Sequence, residues 1–319
     1  MDRRKFLRSL ALTGAATVGG TVAIKEDGTL GIMSQSLHAQ TSRVSTNYDL
    51  VAVLGGEPEA MFRKAIAEMG GMGKFIKKGE KVVVKPNIGW DKTPELAANT
   101  NPKLVAEVIR QCFAAGASEV TVFDHTCDDW RKCYANSGIE AAAKAAGATV
   151  VPAHQESYYK TVSLPKGKSL KTTKIHEAIV NCDKWINMPI LKNHGGAQMT
   201  ISMKNYMGIV WDRGFFHAND LQQCIADVCT YPKHPVMNIV DAYRLMKTSG
   251  PRGRSAADVA LTKGLFVSQD IVAVDTAAVN FFSQVREMSL DKVTHISKAR
   301  DHKLGSMDLN KLKVRRVKI

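Results

Sequence analysis

Apolar positions along the chain come in short runs divided by polar turns, and the runs alternate between two periods. DLVAVLGG (49–56) is an apolar run closed by two glycines and predicts a strand, while 58–77 repeats its apolar residues at helical spacing. KVVVK (81–85) predicts a buried strand and 86–101 a long loop. NPKLVAEVIRQCFAAG predicts a helix, with Pro102 in its first turn and Gly116 just past its end. EVTVFD (119–124) predicts the next strand, 131–146 a helix, and ATVVPA (148–153) another strand. Strands alternating with helices at this spacing imply an α/β fold, a mostly parallel sheet with helices on both faces.

The pattern then changes. Residues 154–180 carry Tyr158, Tyr159 and a Lys-rich turn, with a short polar/apolar alternation that predicts a small antiparallel insertion or lid. KWINMPI (184–190) resumes a strand, and 191–218 is rich in Lys, His, Gly and Asn with little periodicity. An irregular stretch of that length inside a domain is usually functional. A helix over 219–230, a strand at VMNIVDA (236–242), a loop at SGPRGR (249–254), a strand at LFVSQD (265–270) and helices near 271–285 and 290–301 follow. The tail KLKVRRVKI predicts an edge strand with solvated basic side chains.

The first residues do not read as part of this domain. Arg3 and Arg4, then Phe6 and Leu7, precede an uncharged stretch from Ser9 to Ile24, the order of a twin-arginine signal. That stretch is short and diluted by Gly14, Gly19 and Gly20, so it predicts no permanent membrane anchor. The expected organisation is a signal peptide over 1–39 with cleavage after Ala39, a linker over 40–48 and a single α/β domain over 49–319. Localisation is then periplasmic, or otherwise exported, with the twin-arginine machinery as a partner.

Charge sharpens the choice of ligand. The net charge of +14 falls only to +12 without residues 1–39, which hold five basic and three acidic side chains. A basic exported domain points to an anionic small molecule or the membrane surface and away from nucleic acid. The six cysteines include no Cys-x-x-Cys pair, hence no sequence-local iron–sulfur motif. Cys127 and Cys133 lie close enough in one loop to suggest a disulfide or a shared metal.

In open α/β sheets the ligand crevice lies beyond the carboxyl ends of the strands. That rule selects four loops, beginning Lys85-Pro86-Asn87, Asp124-His125-Thr126-Cys127, Asn187 through Gly196, and Asp241-Ala242. Within LKNHGGAQMTISMKNYMG, Lys192, His194 and Lys204 supply positive charge and are the expected catalytic residues. An extended 200–204 would place Thr200, Ser202 and Lys204 on one polar face. Lys85, Asn87, Asn205, Gly208, Arg213 and His217 are the expected cofactor-binding residues, and Gly195 and Gly196 free backbone N–H groups for an anion. His194 with His217 is a weaker metal pair, so the cofactor stays open between a metal and an anionic group. There is no phosphate-binding P-loop, no Gly-x-Gly-x-x-Gly after a strand, no Gly-x-Ser-x-Gly and no His-Glu-x-x-His.

Taken in order, Lys85-Pro86-Asn87, Asn187 to His194, Lys204-Asn205-Tyr206-Met207-Gly208, Asp241-Ala242, Gly250-Pro251 and Asp270 to Asp275 make residues 50–285 resemble the domain of unknown function 362 family. The resemblance implies twin-arginine export in many members and a fused ferredoxin module in some; that module is not in this sequence. It brings no reaction with it. Two expectations follow. One is an exported enzyme, an oxidoreductase or other cofactor-dependent or metal-assisted catalyst. The other is a non-catalytic periplasmic binder or carrier of an anionic ligand or metal.

Overall fold

Strand positions in this chain bury alternate side chains on opposite sides, which is what a sheet covered on both faces requires. In the computed structural model, residues 48–319 are described, and the expected twin-arginine signal, its cleavage site and nearly all of the linker lie outside them. Val82 and Val84 enter one apolar core while Val83 enters the other, and Ile186 and Trp185 divide in the same way. Full burial of a side chain such as Phe62 or Trp185 stabilises the fold by roughly 1.5–3 kcal/mol.

Strand β1 (Leu50–Leu54) is followed by helix α1 (Pro58–Glu68), which stops short of the expected 77 because Gly70 and Gly71 turn left-handed, at φ 97° and 86°. Strand β2 (Lys81–Pro86) leads to α2 (Pro102–Ala114), whose cap Asn101 accepts a hydrogen bond from Lys103 N at 3.0 Å. After β3 (Glu119–Val122) the expected helix is two, α3 (Trp130–Asn136) and α4 (Ile139–Ala145), separated by left-handed Gly138. Strand β4 (Thr149–Val150) is much shorter than the apolar run that suggested it.

The insertion is a two-stranded antiparallel hairpin, β5 (Tyr159–Ser163) with β6 (Thr172–His176), ending in α5 (Glu177–Asn181). Strand β7 (Lys184–Met188) stops at Pro189, and the stretch beyond it is more regular than its composition suggests. It holds β8 (Ile190–His194), β9 (Gln198–Thr200), and the short helices α6 (Ser202–Asn205) and α7 (Gly214–Ala218). Helix α8 (Leu221–Val228), strands β10 (Met237–Met246) and β11 (Val259–Ser268), helices α9 (Ile271–Phe282) and α10 (Thr294–Asp301), and edge strand β12 (Val314–Lys318) complete the chain.

The sheet runs β12-β1-β11-β10-β7-β2-β3-β4, with β8 added beside β10 and β9 beside β8. Pairing is parallel except at β1/β11, β10/β11 and β8/β9. The fold is therefore mixed α/β with a mostly parallel sheet. Helices α1 to α4 pack on one face, and α5, α6, α8, α9 and α10 on the other. Among the described residues no helix is long and apolar enough to cross a membrane.

Candidate functional site

The carboxyl ends of β2, β3, β7 and β8 share one edge of the sheet, so the polar residues that follow them meet. They line a cavity of about 410 Å3 together with α6 and α7. Asn87, Lys192, His194, Lys204, Asn205, Gly208, Arg213 and His217 all line it, while Lys85 sits in the wall behind. Lys85 is fully buried; its Nζ donates to Asn205 O at 2.6 Å and Asn205 Oδ1 at 2.8 Å and lies 2.8 Å from Asp124 Oδ1. Burial pulls the Lys85 pKa below the usual lysine value and the Asp124 charge opposes that pull.

Gly208 is what lets this ion pair pack so closely, because a Cβ there would collide with Asp124 Oδ1 and the Lys85 ammonium. Asn205 relays the arrangement onward. Its Oδ1 also accepts from Asn87 Nδ2 at 3.1 Å, and Asn87 Oδ1 accepts from Lys192 Nζ at 3.1 Å. Lys192 Nζ donates further to Ala98 O at 2.5 Å. These are neutral acceptors, so Lys192 carries its charge with no carboxylate beside it. Burial, with the Lys204 charge adding to it, brings its pKa down to about 7. Lys204 makes no hydrogen bond or ion pair among the described residues, and burial with the charges of Arg213 and Lys85 lowers its pKa to about 8.

The remaining groups are held in set orientations. His194 Nδ1 accepts from Ala197 N at 3.1 Å, leaving the proton on Nε2, and burial beside Lys204 and Lys192 keeps the ring neutral. Arg213 donates to His125 O at 2.8 Å and Thr126 O at 2.6 Å, pinning the loop after β3. His125 Nδ1 donates to Val210 O at 2.8 Å, and its ring stacks on Trp211 with centroids 5.1 Å apart. Thr200, opposite Lys192 in the β8/β9 ladder, also lines the cavity, and its buried hydroxyl has no protein partner. His217 is exposed at the rim.

Several sequence expectations need correction. Residues 200–204 are not one extended segment: helix α6 starts at Ser202, whose N and that of Met203 donate to Asp275 at 2.9 and 3.0 Å. Thr200 and Lys204 line the cavity but Ser202 does not. Asp241 lies within β10 and turns away, accepting from Asn101 N at 2.7 Å and Tyr243 N at 3.0 Å; Pro251 reaches the cavity from that side instead. Cys127 and Cys133 form no disulfide. Cys133 is buried on the inner side of α3 and Cys127 is exposed at the cavity. Among the described residues no group of three or more His, Cys, Asp or Glu is placed to hold a metal.

Sequence reasoning missed Asp124 as the counter-ion of Lys85 and Asp275 as the anchor of α6. Asp124 ends an apolar run and Asp275 interrupts one inside α9, signals that mark a position but do not name its partner.

Fold and cavity together define an α/β protein with a lysine-lined crevice at the carboxyl edge of a mostly parallel sheet. The chain belongs to the family described as domain of unknown function (DUF362), whose model matches residues 82–280. A thylakoid-associated protein of Synechocystis sp. is 25% identical over 254 residues, covering 77% of this chain and 74% of that protein. Among solved structures, the lactate racemase apoprotein of Thermoanaerobacterium thermosaccharolyticum is similar at a TM-score of 0.48 and 11% identity, over 76% of this chain and 58% of that one. A Thermotoga maritima protein matches at 0.47 and 12%, over 72% of this chain and 60% of its own. This chain thus spans about three fifths of the solved structures it resembles.

Proposed function

We propose that the cavity binds an anionic small molecule, substrate or cofactor, and that the protein is an exported enzyme acting on it. The observation that carries this reading is the pairing of Lys192 and Lys204 in one cavity whose sole lining carboxylate among the described residues, Asp124, is already matched by Lys85. Two desolvated ammonium groups that repel each other cost stability unless a bound anion offsets them. An anion seated there would meet Lys204, the Lys192 ammonium, the His194 Nε2–H and the Thr200 hydroxyl. Lys192, at about pKa 7, takes up and releases a proton near neutrality, and that favours an enzyme over a passive carrier.

Thermal unfolding with inorganic phosphate, sulfate and a dicarboxylate tests the site. A ligand at a hundred times its Kd should add about 2.7 kcal/mol and raise the Tm by several degrees. Lys204→Met should abolish that rise while leaving the unliganded protein at least as stable. If no anion shifts the Tm, or if the Met variant responds like the parent, the reading fails.

Export rests on the Arg3-Arg4 signal pattern. Replacing both by Lys should leave a folded protein in the cytoplasm, because the pair serves recognition and not packing. Undiminished periplasmic recovery of that variant counts against export.

A further inference from the structure

Six thiols are present, and five of them (Cys112, Cys133, Cys182, Cys224 and Cys229) are buried. Burial pushes Cys112 and Cys133 up to about 12, and Cys182 and Cys224 up to about 11. Cys127 alone is exposed, and it opens onto the lysine-lined cavity. Its backbone is fixed, since Cys127 N donates to Gly89 O at 2.7 Å. Arg213 Nη1 donates to its Sγ at 3.4 Å while the same guanidinium holds His125 O and Thr126 O. Independently, Thr200 lines the same cavity, is 3% exposed, and its buried hydroxyl has no protein partner. That is a polar group left for a ligand.

We propose that Cys127 is the nucleophile of this cavity, a covalent attachment site for ligands that carry a carboxylate or phosphate beside an electrophilic carbon. This rests on the reading of the cavity as an anion site. The anion is held by Lys204 and Lys192, with the Thr200 hydroxyl as a further donor, and the electrophilic carbon is presented to Sγ. In the attachment step the S–C bond forms and the bond from that carbon to its leaving group breaks. The leaving group departs with the electron pair and the thiol proton passes to solvent.

Iodoacetate is such a ligand, a carboxylate next to a carbon bearing iodide, and iodoacetamide is its neutral counterpart. Relative to the ratio of the two reagents on a small free thiol, iodoacetate should react about tenfold or more faster with the whole chain. Peptide mapping should place one carboxymethyl group, at Cys127. Inorganic phosphate should slow iodoacetate more than iodoacetamide. Lys204→Met should remove the preference for the anionic reagent while Cys127 still reacts with iodoacetamide, and Cys127→Ser should take up neither. If phosphate raises the Tm but Cys127 shows no preference for iodoacetate, or the label falls on another cysteine, the nucleophile is overturned while the anion site stands. If neither the Tm shift nor the preference is seen, both fall.

Discussion

Lys192 and Lys204 bind fewer protons in the folded chain than in the unfolded one, between about pH 7 or 8 and their ordinary value of 10.5. Where the unfolded state binds more protons, stability rises with pH, so these two groups make the unliganded protein more stable as pH climbs through that window. A bound anion favours the charged lysines and acts in the opposite sense. The Tm rise produced by sulfate, which does not itself titrate here, should be largest near about pH 6.5 and shrink towards about pH 9 as the lysines lose their protons. An increment that stays flat or grows with pH would sink the assignment of these lysines as the anion's partners. The positions of Lys85, Lys192 and Lys204 were legible because each stands in or just beyond an apolar run. Their states were not. Lys85 is neutralised by Asp124 and Lys192 is left with amide oxygens, a difference made by residues 39 and 94 positions distant in the chain.

At the scale of elements, the four-residue helix α6 carries Lys204 and Asn205 and is too short to persist by itself. It is held from outside, by the Asp275 carboxylate of α9 accepting from Ser202 N and Met203 N. Asp275→Ala leaves two buried N–H groups without acceptors, at about 1–3 kcal/mol each. Chemical denaturation should show a loss of about that size, and the phosphate-dependent Tm rise should shrink because Lys204 loses its seat. A variant with an unchanged midpoint and a full phosphate response would show that α6 does not depend on this contact. Long elements with local signals were legible: α2 follows from Asn101, Pro102 and Gly116. Those that answer to distant partners were not. β8 and β9 exist because β10 continues past Asp241 and offers β8 a pairing edge, and nothing within LKNHGGAQMT announces it.

Over the whole molecule, the sequence by itself determined the α/β class, the parallel run of strands, the basic edge strand and the segments whose polar ends meet at one edge of the sheet. These follow from local periodicity, from Gly and Pro positions and from charge, all of which act within a few residues. Only the tertiary structure decided which of those polar ends form a site. It turned Asp241 away, brought Pro251 and α7 in, kept Cys127 from Cys133, and set Lys204 in the cavity without a counter-ion. The physical reason is that pairing, burial and electrostatic environment are made between segments far apart in the chain. A lysine's charge state is set by what surrounds it in space, and that neighbourhood exists only once the sheet has closed around it.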